Sequence, residues 1–253
     1  MNFKKEKIYK NIDNEYLVKD GVEKYDKVRF ESEGGILLHR LEIETVLSFI
    51  RDRDKSNILD LGCGTGRISL HLAQNRHFVT SVDYSLEMLK KLLLKKAKSK
   101  LENIQCINGN IFQLPFKDNF FDIVVSMHVL MHLPEHEKAL KEFIRVLKPG
   151  GLLIFDIRNK LSFHHLFYPL RILKKIFEGK DPWYVWYSNI KEIENLAFKN
   201  QCYLSNSIGR LIIKPNQRHR IFVYLLEKLE KLGPKNWYRN FGHLILIKLR
   251  KMN

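Results

Sequence analysis

Cysteine, proline and long apolar runs are all scarce in this chain, and each scarcity excludes something. The 253 residues include 3 Cys, an odd number that cannot pair completely, which argues against a disulfide framework. A reduced, cytoplasmic protein is expected, with peripheral contact at a membrane as the variant of that reading. No apolar run approaches the ~18 residues that cross a bilayer. The opening Met-Asn-Phe-Lys-Lys-Glu-Lys carries charge with no apolar stretch behind it, so no secretory leader is expected. Only 7 Pro and 13 Gly punctuate the chain, with no repeat or low-complexity linker, so a second independent domain is not expected. Acidic residues are short as well. The 28 Asp and Glu face 44 Lys and Arg, a net charge of +16, and residues 161–253 alone hold 17 basic against 6 acidic residues. Such a field favours nucleic acid, phosphorylated substrates or an acidic membrane, or is a solvated lysine coat without a partner.

What is present is a glycine-rich turn. Asn57-Ile58-Leu59-Asp60-Leu61 reads as a short buried strand, and Gly62-Cys63-Gly64-Thr65-Gly66 breaks from it into a helix starting near Arg67. Glycine lets backbone approach a ligand closely, and the helix aims its first N–H groups at whatever occupies the turn. Dinucleotide folds use G-x-G-x-x-G, whereas the glycines here fall at 62, 64 and 66. Asp60 stands where a pyrophosphate would be repelled and a cationic amino group would be welcome. The turn suits S-adenosylmethionine (SAM) better than a dinucleotide.

Strands and helices alternate onward from residue 57, as a doubly wound α/β sheet requires. Strands are expected at 78–83, 104–107, 121–126 and 152–156. Ser85 is placed to cap a helix running to about Ser99, and Pro134 to open one ending near Lys148, with Pro149-Gly150-Gly151 as its stop. Residues 1–50 read as a helical lid broken at Gly34-Gly35, 51–160 as the ligand-binding core, and 161–200 as an inserted cap rich in aromatics. Residues 201–253 complete a mostly parallel, seven-stranded, Rossmann-like sheet with strands near 201–207 and 244–247 and a helix over 218–232.

Several motifs together resemble the class I SAM-dependent methyltransferases, tightly over residues 55–160. They are the glycine turn, the acid Asp83 closing the second strand, and Gly109-Asn110-Ile111-Phe112-Gln113-Leu114-Pro115-Phe116. To these add Phe121-Asp122, Leu130-Met131-His132-Leu133 and Arg145-Val146-Leu147-Lys148-Pro149-Gly150-Gly151. The similarity is greatest to methyltransferases of the menaquinone and ubiquinone type. It implies SAM over Asp60, Gly62, Cys63, Gly64, Thr65 and Gly66, with its ribose on Asp83 and its adenine between Tyr84 and Met88. Asn110, standing where the family has an acid, and Ile111 would meet the adenine edge, with Ser126 and Met127 on the next strand. The pattern Tyr25-Asp26, Arg29-Phe30, Gly34-Gly35, Glu42 is similar to the family's lid, which puts Tyr25 and Arg29 over the cofactor.

Methyl transfer asks the protein to align acceptor and methyl group and, for a hydroxyl acceptor, to remove a proton. His132, and after it His128, are the candidate bases. His132-Leu133-Pro134-Glu135-His136 also matches a zinc-peptidase pattern, but Pro134 puts His132 ahead of the helix, and no metal is expected. His136 reads as a surface helix residue. The expected acceptor is a small or lipid-like molecule. RNA methylation is the alternative raised by the charge, and a non-catalytic SAM-binding partner is the alternative from another class. A basic amphipathic helix over 166–178 would carry contact with acidic membranes, through Arg171, Lys174 and Lys175.

Overall fold

The computed structural model describes residues 19–162, 165, 184–210, 223–225, 227–228 and 239–253. Its centre is a sheet of β1 (Asn57–Leu61), β2 (Phe78–Asp83), β3 (Ile104–Asn108), β4 (Phe121–Ser126), β5 (Leu147–Asn159), β7 (Cys202–Arg210) and β8 (Leu244–Lys251), in the order β3-β2-β1-β4-β5-β8-β7. An eighth strand, the two-residue β6 (Tyr187–Ser188), pairs β5 and was not legible in the sequence. The strands β1 to β5 run parallel, while β8 is antiparallel to both β5 and β7.

Alternation along each strand builds the two faces of the core. Leu59, Leu61, Val124, Leu153 and Phe155 point one way and pack with Leu140 and Phe143 of α5 (His136–Val146) and Ile193 and Ala197 of α6 (Ile190–Lys199). Ile58, Ile123, Val125, Leu152 and Ile154 point the other way, toward Val46 and Phe49 of α2 (Glu33–Phe49) and Ile68 and Leu72 of α3 (Arg67–Gln74). On that same side α4 (Leu86–Lys98) buries Leu89 and Leu92 against Cys63. Helices on both faces make the sheet doubly wound. Its strand order reverses between β1 and β4, and ligands of such sheets bind beyond the C-terminal ends of the strands at that reversal.

Ser85 caps α4 as its residue type requires, accepting from the Met88 N–H, and Asn189 does the same for α6 through Glu192 N–H. Three boundaries differ from expectation. Gly34 and Gly35 do not break a helix. They are buried in the first turn of α2, whose cap Ser32 accepts from Gly35 N–H, so the chain breaks at Glu31-Ser32 after α1 (Lys19–Phe30). Helix α5 begins at His136 rather than Pro134 and ends at Val146. The Pro149-Gly150-Gly151 run is no turn between elements: it lies within β5, where the pairing with β4 shifts register between Phe121 and Ile123. A side chain at Gly151 would meet backbone oxygens of Lys148 and Asp122 at 2.8 and 2.9 Å, which is why glycine stands there. The expected helix over 218–232 and the cap helix over 166–178 fall largely or wholly outside the described residues.

Candidate active site

The glycine turn follows β1, and each of its three glycines has a positive φ, 67° at Gly62, 54° at Gly64 and 82° at Gly66. Two of them are also sterically obliged. A Cβ on Gly62 would sit 2.3 Å from Val129 and one on Gly66 2.1 Å from Leu92, whereas Gly64 faces open space on the ligand side. The cavity over the turn is lined by Tyr25, Asp60, Cys63, Thr65, Met127 and His128, with Arg67 at its edge.

Asp60 lies at the cavity's buried base and accepts from Ser69 Oγ at 2.5 Å, which in turn accepts from Ser81 Oγ at 2.8 Å. Burial lifts its carboxyl to about 6 against the bond from Ser69. It is still mostly ionised at neutral pH, and a cation placed over it would hold that charge against burial, so the site fits the amino group of a methionine moiety. At the end of β2, Asp83 receives Gly64 N–H at 2.7 Å and Ser85 N–H at 2.8 Å. It thereby ties the glycine turn to the start of α4, and burial raises its pKa. A carboxylate has about four acceptor positions, so it keeps capacity for a ribose hydroxyl beside these backbone bonds. These residues fit SAM.

The other expected contacts divide. Tyr84 stands exposed at the crevice mouth, while Met88 is buried beneath the start of α4. Asn110 turns its amide oxygen back on its own loop, accepting from Phe112 N–H at 2.9 Å, and Ile111 packs toward the core. Ser126 is fully buried and donates to Leu61 O at 3.1 Å, so its side chain serves the sheet, and Met127 is the residue of that pair lining the cavity. Cys63 is buried and its thiol is pushed well up, first by burial, so it is not a nucleophile. Helix α1 crosses above. Asp26 accepts from Thr65 Oγ1 at 2.7 Å and from Lys95 Nζ at 2.7 Å, and Lys91 Nζ reaches Val22 O at 2.5 Å. Burial raises the Tyr25 phenol, and the Arg29 guanidinium sits 5.5 Å from the Tyr25 ring centroid.

The histidines behave differently from one another. His128, at φ 60°, is clasped between two carboxylates: Nε2 lies 2.7 Å from Glu42 Oε1, Nδ1 lies 3.2 Å from Asp156 Oδ2, and its N–H donates to Asp156 Oδ1 at 2.6 Å. Burial alone would lower its pKa, but the two carboxylates outweigh that and raise it to about 9. His128 is therefore an imidazolium at neutral pH with no lone pair to offer, which argues against the expected role as a base. Glu42 also holds Arg67 at 2.7 Å. Its own burial is overcome by His128 and Arg67, which bring it to about 2. His132, on the 3-10 turn Leu130–His132, is the opposite case: burial first, then Arg158, His128 and Arg29, lower it to about 4. It is neutral. His136 is half-buried rather than at the surface, stacked on Trp186 with ring centroids 4.0 Å apart.

Asp156, Arg67 and Arg158 were not recognised as site residues from the sequence, and Glu42 was named only within the lid pattern. A signal existed for two of them. Glu42 stands between Leu41 and Ile43 on a core helix, and Asp156 between Phe155 and Ile157 in a core strand, and a fully buried acid requires a cation.

A glycine turn after the first strand, an acid beneath it and an acid closing the second define the cofactor end of a class I SAM-dependent methyltransferase fold. The comparisons agree. Residues 59–155 match the family model of a methyltransferase domain, and over that stretch the chain is similar to the class I SAM-dependent methyltransferases. Demethylmenaquinone methyltransferase of Listeria monocytogenes is 37% identical over 119 residues, 46% of this chain and 50% of the relative. The Staphylococcus epidermidis enzyme of that name is 35% identical over 139 residues, 52% of this chain and 54% of the relative. The chain thus spans about half the length of the curated relatives it matches. Among solved structures, magnesium protoporphyrin IX methyltransferase from Synechocystis with bound S-adenosylhomocysteine is similar at TM-score 0.67 and 17% identity, covering 96% of this chain and 99% of that one. YcgJ from Bacillus subtilis is similar at 0.62 and 19%, covering 85% and 99%. Both likenesses concern the fold.

Proposed function

We propose that the chain transfers the methyl group of SAM to a small, apolar or lipid-like acceptor, by O- or C-methylation. The observation that carries the reading is the cofactor end, where the glycine turn and Asp60 line a cavity and Asp83 holds Gly64 N–H at 2.7 Å; the neutral imidazole of His132 stands on the turn that follows β4. SAM, when bound, supplies an electrophilic methyl group on a sulfonium. Asp60 and the glycine turn would hold its methionine end, and Asp83 its ribose. Tyr25 and Arg29, carried by α1, would close over the cofactor.

His132 would accept the acceptor's proton. A pKa near 4, set first by burial and then by Arg158, His128 and Arg29, makes it a weak base; the same positive charges lower the pKa of an O–H placed beside it, while burial raises it. The driving force for the transfer is set by that difference. The demethylmenaquinone named for the relatives, an apolar substrate, supports the acceptor class.

The test is acceptor-dependent formation of S-adenosylhomocysteine by the purified chain, with naphthoquinols and transfer RNA as acceptors. Turnover on the quinols supports the reading, and methylation of RNA replaces it with nucleic-acid methylation. SAM binding without turnover on any acceptor replaces it with a non-catalytic SAM-binding role.

A further inference from the structure

Helix α4 does two different things on its two sides. Inward, Met88, Leu89 and Leu92 are buried, and Lys91 and Lys95 reach across to α1. Outward, Leu86, Leu93 and Leu94 are 59%, 47% and 72% exposed, and Tyr84, just before the helix, is 65% exposed. Positions 86, 90, 93 and 94 fall on one face by helical spacing, so these are not scattered surface leucines but a stripe. Lysines border it. Lys90 lies within the face, and Lys98 and Lys100 stand exposed at its end, without a carboxylate partner among the described residues. One acid, Glu87, falls in the helix.

We infer that the exposed face of α4 docks the protein on an anionic lipid surface. Exposed leucines edged by lysines are the chemistry that enters the headgroup boundary: apolar side chains sink below the phosphates while the ammonium groups remain among them. The charge decides between occupants. A second copy joined by a twofold would set Lys98 and Lys100 against their own images, a repulsion that Glu87, already paired with Lys90 at 2.6 Å, does not offset. Nucleic acid would satisfy the lysines and leave the leucines in water. A bilayer carrying acidic headgroups satisfies both. The stripe begins at Tyr84, beside Asp83 at the mouth of the cofactor crevice, so docking on this face brings the crevice to the membrane.

The experiment is flotation of the full chain on vesicles of equal parts phosphatidylglycerol and phosphatidylcholine, against vesicles of phosphatidylcholine alone. The native chain is expected to float with the anionic vesicles only. The pair Leu93→Ser with Leu94→Ser is expected to lower the bound fraction by about tenfold or more, since both side chains leave the bilayer. Lys98→Glu with Lys100→Asn is expected to lower it in low salt. All four residues are exposed, and unchanged circular dichroism and SAM affinity will show that fold and cofactor end are intact. Failure of the native chain to float overturns the inference, as does binding that the leucine pair leaves unchanged. Loss of self-association or of RNA binding in the same variants, without flotation of the native chain, reassigns the stripe to a second copy or to nucleic acid.

Discussion

Removing the imidazolium of His128 would strand two buried carboxylates, and the cost can be worked from the structure. The ring is 14% exposed, and both Glu42 and Asp156 are fully buried. Raising its pKa from 6.5 to about 9 corresponds to roughly 3 kcal/mol of favourable interaction, at about 1.4 kcal/mol per pKa unit. The fall of Glu42 from 4.5 to about 2 reports the same contacts from the other partner and is not added to it. Loss of one member of a buried ion pair costs on the order of 3–5 kcal/mol. His128→Gln is therefore expected to lose about 3 kcal/mol or more in urea unfolding at pH 6, and Glu42→Gln in the same chain to recover part of it by removing an unpaired charge.

The pH dependence carries the sign. His128 has a raised folded pKa, so its contribution is complete below 6.5 and is lost as pH rises through about 9. Glu42 is depressed, so its share is present above 4.5 and lost as pH falls through about 2. His132 has a lowered folded pKa, near 4, and so contributes stability above 6.5 that is lost as pH falls toward 4. Stability from these groups therefore peaks near pH 6.5. The alkaline slope belongs to His128 and should vanish in His128→Gln, while the acid slope should persist. Coincident unfolding curves for the two proteins at pH 6, or a native stability that is flat from pH 6.5 to 9, would refute the reasoning.

Three further outcomes are expected. Asp83→Ala should weaken SAM binding by about 1.5–3 kcal/mol, the range for bonds to a charged group, and calorimetry with unchanged affinity would remove the ribose from that carboxylate. Gly66→Ala should destabilise the fold by about 1–3 kcal/mol, because the new Cβ meets Leu92 at 2.1 Å at a φ of 82°. A wild-type denaturation midpoint would contradict the clash. His132→Gln should lower kcat by about 10²–10⁴-fold with SAM affinity unchanged, whereas a loss confined to SAM binding would make it a cofactor contact and not a base.

The parallel half of the sheet was legible because its strands carry their own signals. Phe121–Ser126 and Leu152–Asp156 are β-branched or apolar runs buried on both faces, and Ser85 marks its helix by residue type alone. Less was legible where tertiary contacts override local chemistry. Gly34-Gly35 reads as a break, but close packing makes them part of a buried helical turn. Pro149-Gly150-Gly151 reads as a turn, but pairing with β4 absorbs it into a strand. The site divided in the same way. The glycine turn and Asp83 are local in sequence, whereas the Glu42–His128–Asp156 clasp joins three segments separated by 86 and 28 positions. No spacing rule announces such a contact. The same blindness made His128 and His132 look alike, since a histidine's charge depends on which carboxylates the fold brings to it.

How charge is distributed around the cavity bears directly on the proposed reaction. Methyl transfer from a sulfonium to an ionised acceptor destroys two opposite charges, so a site that stabilised both too strongly would hold the ground state and slow the step. Arg67 and His128 approach the cofactor end, yet each is already matched by Glu42 or Asp156, at 2.7 to 3.2 Å. Their field on the cavity is that of compensated pairs, not of bare ions. Asp60 stands on the other side: burial raises it to about 6, so it is mostly ionised at neutral pH and an incoming cation would hold that charge against burial. Arg158, half-buried with its own pKa lowered by burial, feels Asp156 and Glu42 in opposition to that shift and lies 2.8 Å from His243 Nε2. In the proposed reaction the protein would thus supply self-neutralised charge around the neutral imidazole of His132. That arrangement would orient a polarised acceptor without holding its anion so tightly that it loses its nucleophilicity.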